Sequence, residues 1–177
     1  MKNPLVYFEN AIRCIYFTAR FLGACKLGLI QSFEKIRIEI SNGGRVDMGS
    51  YNQNRERLYI GVDGGKLEIG NHCFFNINGS ITAMKEIKIG NNCKFGNNLV
   101  IVDHDHNFKT NEPEFISSSI VIGNNVWCGA NVTILRGSEL GDNCVVGAGT
   151  VVKGKFPANS IICGPKGIVI GETIRQK

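Results

Sequence analysis

The sequence predicts an all-β fold, a coil of short strands with three strands in each turn. The first observation is a period of six: apolar residues recur at Ile122, Cys128, Ile134, Leu140, Val146 and Val152, and upstream at Ile69, Phe75, Ile81 and Ile87 and, after a two-residue shift, at Ile89, Phe95 and Ile101. A period of six fits neither the 3.6 residues of a helical turn nor the alternation of a single strand. It is typical of a solenoid in which each hexapeptide forms one face and points its apolar residue inward.

The second observation is a small or β-branched residue four positions after five of the inward apolar residues. These second inward positions hold Cys73, Cys93, Val126, Cys144 and Thr150. A buried cysteine behaves as a small hydrophobe, so we interpret Cys73, Cys93, Cys128 and Cys144 as core residues, reduced as in a cytoplasmic protein. The third observation is a set of Asn and Gly residues between the apolar positions, predicted to form the corners because they tolerate positive φ.

Composition and charge limit the function classes. The chain has 177 residues, enough for one domain, and a formal net charge of +5. Residues 1–45 hold seven Lys and Arg against three acidic residues, and the rest is nearly neutral. This balance argues against nucleic-acid binding by the repeat region. The absence of a CxxC pair argues against a disulfide framework or a zinc site built on cysteines.

The N-terminal segment, residues 1–35, is predicted to be helical and basic. Residues 4–32 are predicted to form one helix or two short helices, because apolar residues recur there at helical spacing. Glu9, Arg13 and Arg20 interrupt them, which argues against a membrane-spanning helix and against a signal peptide. One interpretation is a helix that caps the end of the coil, which solenoids need. The other is a basic amphipathic surface that lies on an anionic membrane, and one helix could serve both purposes.

The coil is expected to span residues 36–170, with a tail at 171–177. Residues 103–119 interrupt its period and contain two of the three histidines, His104 and His106. Loops inserted into a regular scaffold often carry function, so this loop is the first candidate for a site.

The repeat sequence resembles a known family. Residues 122–134 read Ile-Gly-Asn-Asn-Val-Trp-Cys-Gly-Ala-Asn-Val-Thr-Ile and residues 146–152 read Val-Gly-Ala-Gly-Thr-Val-Val. They resemble the hexapeptide-repeat acyltransferases, most of all the maltose and galactoside O-acetyltransferases and the O-acetyltransferases of capsule and lipopolysaccharide clusters, over about residues 65–170. The resemblance implies a left-handed parallel β-helix, a homotrimer with active sites between neighbouring subunits, acetyl-CoA as donor and a sugar hydroxyl as acceptor.

The resemblance also implies a histidine that acts as general base. In the family this residue lies sixteen positions after a glycine of the preceding coil, and counting from Gly90 reaches His106. We therefore favour His106 as the base and keep His104 as the alternative or as a substrate contact. Asp103 or Asp105 could orient the imidazole by accepting a hydrogen bond from its other nitrogen.

Other site residues carry over from the family by position. Asn76 matches an asparagine at the reacting centre, where an amide can donate to developing charge, and Asn78 lies beside it as a candidate acceptor contact. Trp127, the only tryptophan, is placed beside the cofactor cleft. The pantetheine arm of coenzyme A is expected near Gly129, Ala130, Ala148 and Thr150, and its phosphates near Lys153, Lys155, Lys166 and Arg175.

The sequence therefore predicts an acetyl-CoA-dependent O-acetyltransferase acting on a sugar in surface polysaccharide or lipopolysaccharide synthesis. It needs no metal and binds no nucleic acid, and it is cytoplasmic or peripheral at the inner face of the membrane through residues 1–45. One alternative is an amino-sugar N-acetyltransferase. A zinc enzyme like the γ-type carbonic anhydrases also uses three histidines, but the spacings of 32 and 2 from His72 through His104 to His106 differ from that family. A third alternative is a non-catalytic trimeric scaffold.

Overall fold

A computed structural model describes residues 4–107 and 115–164 of the chain. Within these residues the elements are one helix, α1 (Pro4–Arg20), and twenty-one short strands. The strands are, in chain order, Cys25–Leu27 (β1), Ile36–Ser41 (β2), Arg45–Met48 (β3), Gln53–Asn54 (β4), Leu58–Asp63 (β5), Lys66–Ile69 (β6), Phe74–Phe75 (β7), Gly79–Ala83 (β8), Glu86–Ile89 (β9), Lys94–Phe95 (β10), Val100–Val102 (β11), His104–His106 (β12), Phe115–Ser117 (β13), Ile120–Ile122 (β14), Trp127–Cys128 (β15), Thr133–Leu135 (β16), Glu139–Leu140 (β17), Val145–Val146 (β18), Val151–Val152 (β19), Lys155–Phe156 (β20) and Ile161–Ile162 (β21).

Nineteen of these strands form three parallel sheets that the chain visits in turn. Sheet A has the order β1-β3-β6-β9-β14-β17-β20, sheet B the order β21-β18-β15-β10-β7-β4 and sheet C the order β19-β16-β11-β8-β5-β2. From β3 to β19 each turn passes from A to B to C and adds one strand to every sheet, and the described chain makes about six turns. The predicted parallel β-helix with a short N-terminal helical segment is confirmed.

The core lies between the three sheets and contains the residues that the six-residue period assigns to it. The inward residues from Ile122 to Val152 are at most 2% exposed, and those from Ile69 to Ile101 at most 4%. The second inward positions, Thr150 included, are at most 3% exposed. The four cysteines predicted to lie in the core are buried, and burial raises the pKa of Cys128 to about 12. The Cys128 thiol is therefore protonated and unreactive at neutral pH.

Asparagine side chains join neighbouring turns at the corners. The side-chain oxygen of Asn124 accepts hydrogen bonds from both the backbone nitrogen and Nδ2 of Asn91, at 2.9 and 3.0 Å. Asn92, Asn98 and Asn125 have φ of 57°, 57° and 56°, a left-handed conformation that asparagine tolerates better than most residues. The corner prediction is confirmed at these positions. The coils also approach closely: a Cβ at Gly90 would lie 2.7 Å from the carbonyl oxygen of the residue below it, Gly123.

Helix α1 covers the first turn of the coil. Cys14 and Phe17 are buried against β1, and the side-chain oxygen of Asn10 accepts a hydrogen bond from the backbone nitrogen of Phe33 at 3.1 Å. Arg13 donates to the carbonyl oxygen of Phe33 at 3.0 Å. These contacts fix the helix as a cap, one of the two roles that the sequence leaves open.

The helix is shorter than the predicted span of residues 4–32. It ends at Arg20 because Leu22 adopts φ of 50° and the backbone nitrogen of Gly23 bonds to the carbonyl of Thr18 at 3.0 Å. This closing pattern terminates helices, although glycine is the usual residue where Leu22 stands. Cys25–Leu27 is already a strand of sheet A. Among residues 4–107 and 115–164, no helix has the length and apolar content needed to cross a membrane.

Candidate active site

The two ends of the predicted loop at 103–119 pair with each other as an antiparallel hairpin. Strands β12 and β13 pair so that His104 is opposite Ser117 and His106 is opposite Phe115. The hairpin leaves the coil between β11 of sheet C and β14 of sheet A, which places both histidines at the edge where these sheets meet. Residues 108–114 of the loop lie outside the described residues.

His104 is held by a buried carboxylate. Its Nδ1 lies 3.1 Å from Oδ1 of Asp103, which is 0% exposed, whereas the His104 side chain is 19% exposed. The carboxylate is itself fixed by two backbone donors, because the nitrogens of Met84 and Lys85 each donate to one of its oxygens at 2.8 Å. An imidazole whose Nδ1 donates to a carboxylate carries its free lone pair on Nε2, the form that can accept a proton.

His106 has a different environment from His104. Its side chain is exposed, and its ring packs on Phe115 with the centroids 4.6 Å apart. The carboxylate of Asp105 pairs with Arg136 from the following turn of the coil. Among the described residues, no carboxylate bonds to His106. Of the two carboxylates considered for orienting the base, Asp103 contacts His104 and Asp105 contacts Arg136. The oriented histidine is therefore His104.

A groove with both polar and apolar lining opens beside His104 on the outer face of sheet C. It has a volume of about 270 Å³, and its lining includes His104, Phe115, Glu39, Tyr59 and Asp63. The hydroxyl of Tyr59 donates to Glu39 at 2.8 Å, and this bond holds the pKa of Glu39 below its usual value and raises the pKa of Tyr59. Hydroxyls and carboxylates of this kind can bond a polyhydroxylated ligand.

Asn76 and Asn78 lie at the opposite edge of sheet C from the histidines. Both precede β8, and the five residues of that strand span roughly 16 Å before the chain reaches the histidine edge. The side-chain oxygen of Asn76 accepts from the backbone of Ile77 at 3.1 Å, and Asn78 donates to Asn98 at 3.2 Å. One subunit therefore does not bring the predicted amides and the histidines together.

The predicted cofactor residues also group at the edge between sheets B and C. Trp127 is 48% exposed on the outer face of sheet B, and Ala130 and Ala148 follow at the corner, one turn apart. Gly129 is buried, because its backbone packs against the nitrogen of Ala148. Thr150 is also buried, and its hydroxyl oxygen accepts a hydrogen bond from Gly164 at 2.9 Å, so its side chain faces the inside of the coil.

The cationic candidates divide into two sets. Lys153 is exposed at the end of β19, and Lys155 is exposed but paired with Glu139 at 2.6 Å. Lys166 and Arg175 lie outside the described residues. The third histidine, His72, stacks on Tyr51 at a corner between sheets A and B, away from the histidine edge. In the described ranges, no three His, Cys, Asp or Glu side chains converge as metal ligands would.

Several residues of this site carry no local sequence signal. Glu39, Tyr59 and Asp63 come from three positions on two consecutive turns, and only the register of sheet C aligns them with His104. Arg136 follows its partner Asp105 by 31 residues. The regular spacing of the coil could have indicated which residues lie above one another, but not which of them would form a groove.

Known protein families match this chain within the coil. A family model described as bacterial transferase hexapeptide (six repeats) matches residues 119–154, and one described as hexapeptide repeat of succinyl-transferase matches residues 66–102. The chain is 28% identical over 176 residues to WbbJ of Escherichia coli K12, named as a lipopolysaccharide biosynthesis O-acetyl transferase, covering 92% of this chain and 87% of WbbJ. It is 36% identical over 112 residues to galactoside O-acetyltransferase of the same organism, covering 62% of this chain and 55% of that protein.

A solved structure has the same architecture. A variant of AntD, an N-acyltransferase from Bacillus cereus in complex with dTDP-4-amino-4,6-dideoxyglucose and coenzyme A, superposes with a TM-score of 0.69 at 16% identity, covering 84% of each chain. At this identity the likeness establishes the fold alone. The two family models and the relative WbbJ add to this: the coil carries the hexapeptide repeats of bacterial transferases, and the chain is similar to a lipopolysaccharide O-acetyl transferase along most of its length.

Proposed function

We propose that the protein is an acetyl-CoA-dependent O-acetyltransferase that acetylates a hydroxyl of a sugar. The observation that carries the proposal is the imidazole of His104, which is fixed by the buried carboxylate of Asp103 and lines a groove that also contains Glu39 and Asp63. The hexapeptide-repeat matches support acyl transfer, and the O-acetyltransferase names of the two relatives favour oxygen over nitrogen as the acceptor atom. The relation to WbbJ along most of its length supports a role in lipopolysaccharide or surface polysaccharide synthesis.

We assign the general base to His104 rather than to His106, which the sequence spacing favours. Nε2 of His104 takes the proton of the attacking hydroxyl, and Asp103 keeps Nδ1 protonated and stabilises the imidazolium that forms. Acetyl-CoA supplies the acetyl group as a thioester whose C–S bond breaks while the new C–O bond forms. The imidazolium then returns its proton to the leaving sulfur, so the transfer needs no acyl-enzyme. His106 and Asp105 remain candidate acceptor contacts.

The groove is the proposed acceptor site. Glu39 and Asp63 accept hydrogen bonds from sugar hydroxyls, and the aromatic ring of Phe115 offers an apolar surface for a sugar ring. These groups line the same groove as His104, so a hydroxyl bound there can lie within hydrogen-bonding distance of Nε2. An acceptor held in this way reacts faster because its orientation is fixed before the chemical step.

We also propose that the active protein is a homotrimer. His104 lies at one edge of sheet C, whereas Asn76, Asn78 and Trp127 lie towards the other, so a site that uses all of them needs two subunits. The outer faces agree with this arrangement: Val145 and Ile161 on sheet B and Val151 on sheet C are 37%, 78% and 63% exposed. Sheet A instead carries charged pairs such as Lys88 with Glu86, as expected of a face that meets solvent.

The cleft between subunits can accept coenzyme A. Trp127 offers an exposed ring, and the small side chains of Ala130 and Ala148 leave the corner backbone open to a pantetheine arm. Lys153 lies three residues beyond the buried Thr150, roughly 10 Å along an extended strand. Among the described residues Lys153 forms no ion pair, so it is more available to a phosphate than Lys155, which is paired with Glu139.

Thiol release from acetyl-CoA tests the function against a panel of neutral sugars, amino sugars and nucleotide-linked or lipid-linked saccharides. We expect release that depends on an acceptor hydroxyl and a product whose acetyl group is removed by hydroxylamine, which cleaves esters and leaves amides intact. A product that resists hydroxylamine would assign the protein to the N-acetyltransferases instead. Failure of the protein to bind coenzyme A in calorimetry would refute acyl transfer itself.

A further inference from the structure

Helix α1 is apolar on both sides, and only one side is used. Cys14 and Phe17 face the coil, whereas Phe8, Ile12, Ile15 and Tyr16 face away from it. The four outer side chains are 64%, 54%, 60% and 54% exposed. At 100° per residue they fall within one arc of about 100°, so they form a continuous stripe along the helix.

A stripe of this kind needs a partner. A helix that is apolar all round is normally buried on all sides, and contiguous exposed apolar patches on soluble proteins mark binding surfaces. The cap role of α1 accounts for the buried side alone, since Asn10, Phe17 and Arg13 make the contacts to the first turn. Helix–coil packing therefore does not explain why large apolar residues occupy the outer arc.

The turn after the helix exposes another large apolar side chain and adds positive charge. Leu22 is 95% exposed and shares a concave surface with Lys26, Arg45 and Asp47. Arg20 is exposed at the end of the helix, where it donates to the hydroxyl of Tyr16 at 3.3 Å. The acidic groups near this surface include Asp47, Glu9 on the helix, and Glu39, which is close enough to Arg20 to interact with its charge. Residues 1–45 as a whole hold seven basic residues against three acidic ones.

We propose that the outer face of α1, with Leu22, docks the protein on the surface of an anionic lipid bilayer. Helices that lie in the bilayer interface have this composition, with phenylalanine, isoleucine and leucine on one face and basic residues at its border. Anionic headgroups complement Arg20, Lys26 and Arg45. An acceptor presented at a membrane would then meet the enzyme in the plane of the lipid.

The position of α1 favours a membrane over a second copy of the chain as the occupant. The helix covers the first turn of the coil, whereas Val145, Val151 and Ile161, the apolar residues that suit subunit contacts, lie on the last turns. In a trimer with parallel coils, the three first turns point the same way and the three stripes can bind one surface together. Binding through three stripes at once is stronger than binding through one. This part of the inference rests on the trimer proposed above.

Vesicle co-sedimentation of the full-length protein tests the docking. The probes are vesicles of phosphatidylglycerol with phosphatidylethanolamine, and vesicles of phosphatidylcholine alone. We expect sedimentation with the anionic vesicles, weaker binding to the neutral ones, and partial release by salt. The double variant Phe8→Gln with Ile12→Gln should lower the partition coefficient onto anionic vesicles at least about tenfold. Glutamine is a good helix former, so the helix itself should be retained.

The matched control is Val121→Gln, which removes a 41% exposed apolar side chain from sheet A. It should bind the anionic vesicles as the wild type does. Unchanged binding of the Phe8/Ile12 variant, or no binding of the wild type to either vesicle, would overturn the proposal. A change of oligomeric state in that variant by light scattering would assign the stripe to a subunit interface instead. Thiol release with a soluble acceptor, measured in parallel, separates a failure of docking from a failure of the proposed reaction.

Discussion

The variant Asp103→Asn tests both the stability and the chemistry assigned to one buried carboxylate. Asp103 is 0% exposed and satisfies the backbone nitrogens of Met84 and Lys85 at 2.8 Å each, as well as Nδ1 of His104 at 3.1 Å. Asparagine has the same shape but only one accepting oxygen. Its NH₂ group must therefore face a backbone N–H, whichever way the amide is turned.

The expected cost follows from this geometry. A buried backbone donor that loses its acceptor costs about 1–3 kcal/mol, and the remaining bond also loses its ionic character. For a chain of this size, about 2 kcal/mol corresponds to a fall in Tm of about 4–8 °C. The reaction should suffer more, because an amide no longer fixes the His104 tautomer or balances the imidazolium, and we expect kcat to fall at least about 100-fold.

The assay is thermal unfolding by circular dichroism, followed by thiol release at saturating acetyl-CoA. Asp105→Asn is the matched control, since it lies two residues away in the same hairpin. Its pair with Arg136 is partly exposed, with side chains 45% and 25% accessible, so its loss should cost less than about 1 kcal/mol. Equal Tm values for wild type and Asp103→Asn, or equal losses in the two variants, would refute the role of Asp103.

Further predictions concern the coil. A thiol reagent should modify Cys163 alone in the native protein and all seven cysteines after unfolding. The reason is that the other six are buried, and burial raises the pKa of Cys128 to about 12. Rapid labelling of a second thiol in the native protein would contradict the packing. Gly90→Ala should destabilise the protein by about 1–3 kcal/mol in denaturant unfolding, because the new Cβ would lie 2.7 Å from Gly123. An unchanged unfolding midpoint would mean that the turns are spaced more widely. Phe95→Ala should cost about 3–5 kcal/mol by the same measurement, because the ring is 1% exposed inside the coil, and a cost below about 1 kcal/mol would place it outside the core.

The sequence predicts the coil well because the inward positions are set locally. Each hexapeptide has one residue that must be apolar, so Ile134 or Phe95 can be assigned to the core without knowledge of its neighbours. The corners follow for the same reason, since Asn92 and Asn125 adopt the positive φ that their residue type favours. The end of α1 escapes prediction because Leu22 adopts a conformation that its sequence does not indicate.

The site is less predictable because its contacts join distant parts of the chain. The spacing of two residues between His104 and His106 does not reveal that Asp103 turns inward to the backbone of Met84 while Asp105 turns to Arg136. The pairing depends on the hairpin register and on the next turn of the coil. The placement of Asn76 and Trp127 at another edge likewise appears only when the strands are assigned to sheets.

The most direct test of the account compares His104→Ala with His106→Ala in thiol release from acetyl-CoA with the best acceptor of the panel. A general base contributes about 10²–10⁴-fold, so His104→Ala should lose activity by that factor while its binding of coenzyme A is unchanged. His106→Ala should keep kcat within a few-fold of the wild type, with its effect confined to KM for the acceptor. The opposite pattern, with activity lost in His106→Ala and kept in His104→Ala, would contradict the assignment and show that the Asp103–His104 pair is structural.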